Sequence, residues 1–138
     1  MDLQGKIAVV TCTASGIGRH TPIALAREGA DVVLADLDGD GLAEVRSEIE
    51  ALGRRGLAVP TDVTKLENLQ NVYEHSISKM GRVDILMNNA GVQVTGPLEK
   101  TAIDDWKWDV FYGAYVFLLI CWIVAAAISP TPLLLPGW

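Results

Sequence analysis

Residues Thr11–Gly18 (TCTASGIG) carry the types that can hold an anion without a charged side chain. They sit where a β-branched run gives way to a helical stretch. A helix N-terminus presents unpaired backbone N–H groups and a partial positive charge, and glycine lets a phosphate come close. Gly16 and Gly18 fill that role, Thr11, Cys12 and Ile17 complete the turn, and the Thr13 and Ser15 hydroxyls are further donors. The G-x-G-x-x-G spacing is not met, because Thr21 stands at its third glycine. A Gly-rich turn with no ligand is the competing reading. Asp36 follows 18 residues after Gly18, at the end of a second β-branched run. A carboxylate there accepts hydrogen bonds from a ribose 2′-OH and repels a 2′-phosphate. Leu37 comes next and offers that phosphate no cation, so NAD is favoured over NADP. In the competing reading Asp36 caps the helix that follows it.

These residues need elements to position them, and the hydrophobic pattern supplies a regular series. Lys6–Thr11, Ala30–Asp36, Gly56–Pro60 and Val83–Met87 read as short buried strands. Between them lie three helical stretches. Gly16–Gly29 places Ile17, Ala24 and Leu25 on one face, with Gly29 as the cap. Gly39–Gly53 has Leu42, Val45, Ile49 and Leu52 at helical spacing, and Leu66–Met80 has Leu66, Leu69, Val72, Tyr73, Ile77 and Met80. The order βαβαβαβ predicts an α/β fold, a doubly wound parallel sheet built from right-handed crossovers.

At this point the sequence resembles the short-chain dehydrogenase/reductase family. The likeness rests on TCTASGIG at the family's T-G-x-x-x-G-x-G turn, Asp36, Asp62-Val63, and Asn88-Asn89-Ala90-Gly91 after the fourth strand. It covers residues 3 to 109. The resemblance implies a Rossmann-type sheet of strand order 3-2-1-4, a bound nicotinamide dinucleotide and hydride transfer between an alcohol and a carbonyl. It implies that Asp62 and Val63 lie against the adenine. Asn89, Ala90 and Gly91 would line the adenosine ribose side, and Asn88 would tie neighbouring strands.

The departures from the family pattern matter as much. Cys12 stands at the family's first glycine, where a side chain should crowd the cofactor. At positive φ it would also strain the backbone by about 1–3 kcal/mol. A rival reading makes Cys12 a redox-sensitive thiol at a helix N-terminus. Pro22 lies inside the first helix, which should kink or begin late. The family's Tyr-x-x-x-Lys pair is missing, because Ile77, Val116 and Leu119 stand four residues after Tyr73, Tyr112 and Tyr115. No catalytic residue is therefore assigned, and the polypeptide is expected to lack turnover alone. The resemblance reads as the N-terminal half of such an enzyme, truncated or frame-altered, with the fourth strand left as an open edge.

Composition divides the chain in two. Half of its 138 residues are apolar, a fifth are charged, and the net charge is −6. That suffices for a core and excludes disorder. No basic stripe is present, which argues against nucleic-acid binding. Cys12 and Cys121 show no metal spacing and read as reduced thiols in a cytoplasmic protein. DLDGDG (Asp36–Gly41) imitates a calcium loop, but Ser47 stands where the bidentate carboxylate belongs, so no metal site is expected. MDLQGKIAVV is too short and broken for a signal peptide.

All 11 basic and 17 acidic side chains fall in 1–109, the expected nucleotide-binding half-domain. Residues 110–138 are uncharged: an apolar stretch to Ile128, then a Pro/Leu tail. The favoured reading is a helix buried in the fold. The alternative is a membrane anchor about 28 Å long, with 1–109 cytosolic. Partners expected are the dinucleotide, a small alcohol or carbonyl substrate in an intact form only, and a second copy or full-length homologue. The alternative function is a catalytically dead nucleotide-binding or interaction module.

Overall fold

Successive residues of a strand face opposite sides of a sheet, and here both sides are apolar. The computed structural model describes residues 2–91 and Ile103. It contains β1 (Ile7–Thr11), α1 (Gly16–Arg27), β2 (Asp31–Asp36), α2 (Gly39–Ala51), β3 (Gly56–Pro60), α3 (Leu66–His75) and β4 (Ile85–Met87). The strands are all parallel, in the order β3-β2-β1-β4. Ala8, Val10, Val32 and Leu34 meet Ile23 and Ala26 of α1 and Leu42, Val45 and Ile49 of α2 on one face. Ile7, Val9, Val33, Ala35 and Val59 meet Val72 of α3 on the other, with Met80 and Val83 packed beside them. A sheet covered on both faces needs strands without alternation, and β1 and β2 have none. The result is the Rossmann-type, doubly wound arrangement expected, with strand order 3-2-1-4.

Three details depart from expectation. The buried face of α1 is Gly18, Pro22, Ile23 and Ala26, while Ile17 and Ala24 are exposed. The helix starts at Gly16 and includes Pro22 without a late start. Pro22 is enclosed in the core, which offsets the amide it lacks. The third helix ends at His75 and continues as a π-helical turn, Ser76–Met80, closed by Gly81.

The amino end of the sheet is fastened by two aspartates. The Asp84 carboxylate accepts the Ile7 amide at 3.0 Å, while the Asp84 amide donates to the Ile7 carbonyl at 2.8 Å. This reciprocal pair precedes the ladder, so β4 begins at Ile85 instead of Val83. Arg82 and Lys6 flank Asp84. Asp31 accepts the Arg55 amide at 3.0 Å and pairs with Arg54 at 2.8 Å and Arg55 Nε at 2.7 Å. Burial alone would raise both carboxyls. The amides and cations outweigh it and hold both below the usual carboxylate range.

Among the described residues β4 pairs only with β1. No described helix is long and apolar enough to cross a membrane. The expected 109/110 boundary and the apolar stretch 110–128 lie outside the described residues.

Candidate functional site

Parallel strands deliver all their following loops to one edge of the sheet. In the order β3-β2-β1-β4 the chain reverses direction across the sheet between β1 and β4. Ligands of open α/β sheets bind at the carboxyl ends of such neighbouring strands. The turn after β1 sits there.

A clasp sets the floor of the site. The Thr11 hydroxyl accepts the amides of Asn89 (3.0 Å) and Ala90 (2.9 Å). The Asn89 side-chain nitrogen donates back to the carbonyls of Thr11 (3.1 Å) and Cys12 (3.2 Å). Asn89 thereby ties the segment after β4 to the turn after β1. Gly18 packs against the same group: a Cβ there would collide with the Cys12 carbonyl oxygen and the Asn89 nitrogen.

Above this floor the turn is open. Gly16 has φ +53°, and nothing lies within 4 Å of a Cβ built on it. Ser15, at the N-cap of α1, is extended and makes no side-chain cap bond, and no acid lies in the first turn. Among the described residues, neither a side-chain cap nor a first-turn acid meets the first amides of α1. Ser15, Gly16 and Ile17 are exposed, whereas Thr13 is enclosed.

Asp36 stands beside this turn. Its Oδ2 accepts the Ala14 amide at 2.8 Å, and its Oδ1 accepts the Asp38 amide at 3.0 Å. The cap of α2 is Asp38, which accepts from Asp40 and Gly41 at 3.1 Å each. Asp36 is thus not that cap. No sequence signal pointed to the Ala14–Asp36 bond, because a backbone amide has no residue type. Leu37 is exposed, and the Asp36 carbonyl accepts the Thr61 amide at 2.7 Å, which joins the ends of β2 and β3.

Cys12 has φ +54°, the one positive value at a non-glycine among the described residues. The strain that its residue type implied is therefore present. Burial pushes its thiol pKa up, the Asp36 charge adds to this, and the Gly91 amide partly offsets it. A thiol held protonated does not suit the redox-sensor reading. Farther out, Asp62 accepts the Thr64 hydroxyl at 2.7 Å and the Thr64 amide at 3.0 Å, with Lys65 at 3.5 Å. The Thr64 bonds hold its carboxyl below the usual range. Val63 is half-buried beside it. The structure thus gathers Cys12, Gly18, Asp36, Asn89 and Gly91 in one place, and Asp62 and Val63 follow β3.

A family profile described as short chain dehydrogenase matches residues 6–113. The 7alpha-hydroxysteroid dehydrogenase of Escherichia coli is 42% identical over 102 residues, covering 74% of this chain and 40% of that protein. A 7alpha-hydroxysteroid dehydrogenase structure with NADH and 7-oxo glycochenodeoxycholic acid superposes with TM-score 0.86 at 33% identity. That match covers 92% of this chain and 49% of the other. A short chain dehydrogenase from Burkholderia cenocepacia in complex with NADP gives TM-score 0.85 at 31% identity, covering 94% and 53%. The chain spans less than half the length of the curated relatives it matches.

Proposed function

The chain belongs to the short-chain dehydrogenase family, and from that membership we propose that it forms the nicotinamide-dinucleotide-binding half of an oxidoreductase, with NAD preferred over NADP. The observation that carries this reading is the Asp36 carboxylate hydrogen-bonded to the Ala14 amide, 2.8 Å from the anion-binding turn. It puts a ribose-binding acid and a phosphate-binding turn in direct contact.

The described residues fit such a group. The first amides of α1 are uncapped and the surface over Gly16 is empty, so a diphosphate has donors and room. Asp36 accepts ribose hydroxyls and disfavours a 2′-phosphate by repulsion. Asn89, Ala90 and Gly91 border the same space, and Asp62 and Val63 are assigned to the adenine by family likeness. Cys12 works against the ligand, since its thiol lies near both the Asp36 carboxylate and the Gly91 amide. The dinucleotide, when bound, supplies hydride exchange between an alcohol and a carbonyl. The chain's own residues bind and orient it. With no Tyr-x-x-x-Lys among its residues, the polypeptide alone binds cofactor without turnover.

Equilibrium titration of the 138-residue chain with NAD and NADP tests this. NAD should bind about tenfold tighter, and Asp36→Asn, which keeps an acceptor for Ala14 but loses the charge, should erase most of that preference. Equal or tighter binding of NADP by the unaltered chain would refute the assignment.

A further inference from the structure

Two glycines stand two residues apart in the first turn of α2 and meet different surroundings. Gly39 is exposed, and a Cβ built on it has no atom within 4 Å. Gly41 is buried, and a Cβ there would lie 2.6 Å from the Ala14 Cβ and 2.8 Å from Asp38 Oδ2. Such separations are too short for packed carbons, so the missing side chain is what lets α2 start against the turn after β1. The contact closes a circuit of hydrogen bonds. The Gly41 amide donates to Asp38 Oδ1 at 3.1 Å, the Asp38 amide to Asp36 Oδ1 at 3.0 Å, and the Ala14 amide to Asp36 Oδ2 at 2.8 Å. Each Asp36 oxygen is thus held by one amide and keeps a lone pair for a ligand.

We propose that Gly41 is a positioning residue that sets the cofactor preference through Asp36: by admitting Ala14, it fixes the spacing between the ribose-binding carboxylate and the phosphate-binding turn. The inference rests on the dinucleotide reading and deepens it by naming what tunes the choice between NAD and NADP. An added Cβ has to displace one side of the contact. Leu42, Val45 and Ile49 lock α2 into the core, whereas Ala14 is only half-buried, so the turn yields. Ala14 then moves off, and its amide leaves Asp36. NAD uses both the carboxylate and the turn, and loses from their mismatch. NADP, whose 2′-phosphate Asp36 repels, loses less, and the preference narrows.

The unaltered chain is compared with Gly41→Ala, with Gly39→Ala, and with a swap that combines Ala14→Gly and Gly41→Ala. Exchange of the Ala14 amide is followed without ligand, and NAD and NADP are then titrated. Gly41→Ala should speed that exchange about tenfold and cut the NAD preference from about tenfold to about twofold. Gly39→Ala should change neither. The swap moves one methyl across the contact and should restore both to within about twofold. A Gly41 that matters for packing alone would lower the thermal midpoint and leave the Ala14 amide and the NAD preference unchanged. That result overturns the proposal, as does a swap that restores neither. Should Gly41→Ala not fold, a folded swap with the NAD preference intact supports the proposal, and an unfolded swap overturns it. An unaltered chain that binds neither dinucleotide refutes the dinucleotide reading and this inference together, whereas a preference that survives Gly41→Ala refutes this inference alone.

Discussion

The two ends of the parallel sheet are built to opposite standards. At the amino end, Asp31 and Asp84 each take an amide at the entry to a neighbouring strand and are themselves held by arginine or lysine. At the carboxyl end, Cys12 is in a left-handed conformation, Thr13 hides an unpaired hydroxyl, and α1 starts without a cap. α2 starts against the same turn and is capped by Asp38. The difference separates stability from function. At the amino end the carboxylates fasten strands, whereas at the carboxyl end the Thr11–Asn89 clasp and Asp36 fasten the turn and, among the described residues, leave donors and space above it.

The largest expected effect concerns Gly18. Gly18→Ala forces a Cβ into the Cys12 carbonyl, a backbone group that cannot yield cheaply. It should destabilise by about 2–4 kcal/mol and abolish the NAD-induced shift. Gly16→Ala meets no atom and should cost only about 1 kcal/mol for its positive φ, read by urea denaturation. Equal costs at the two glycines would break the account of the turn.

At the amino end, Asp31→Asn should cost about 1–2 kcal/mol without altering NAD affinity, measured by denaturation and titration in parallel. A matching loss of affinity would show that the two ends are not separable. The pH response follows from the same groups. Both Asp31 and Asp84 have folded pKa values below the unfolded one, so their stabilisation is full above about pH 4 and fades as pH falls through the folded values. On acidification, exchange protection of the Ile7 and Arg55 amides should be lost first. Asp31→Asn and Asp84→Asn should flatten the acid limb of midpoint against pH.

The smallest effect is at Cys12. Cys12→Gly should relieve about 1 kcal/mol of backbone strain and tighten NAD binding severalfold. A midpoint that falls would mean that the side chain contributes more by packing than its φ costs.

The sheet was legible in the sequence because β1 and β2 are apolar on both faces, and such strands between amphipathic helices belong to a parallel sheet covered on both sides. The inward face of α1 was misread because Gly18 and Pro22 carry no strong hydrophobic signal, while exposed Ile17 does. In the site, the glycine turn and Asp36 could be placed by spacing alone. The strain at Cys12 followed from residue type. The Ala14 amide on Asp36, the cap at Asp38 and the Asn89 clasp could not be read, because backbone amides and the choice between adjacent like residues leave no trace in composition.

The contrast between the two ends can be tested amide by amide. NAD is titrated into the isotopically labelled 138-residue chain while backbone amide resonances are followed. The account predicts large changes at Gly16, Ile17 and Gly18, and little change at Gly41, which Asp38 already occupies, or at Ile7 and Arg55 on the opposite edge. Unperturbed resonances at Gly16–Gly18 under saturating NAD, or changes centred on the amino end, would contradict it.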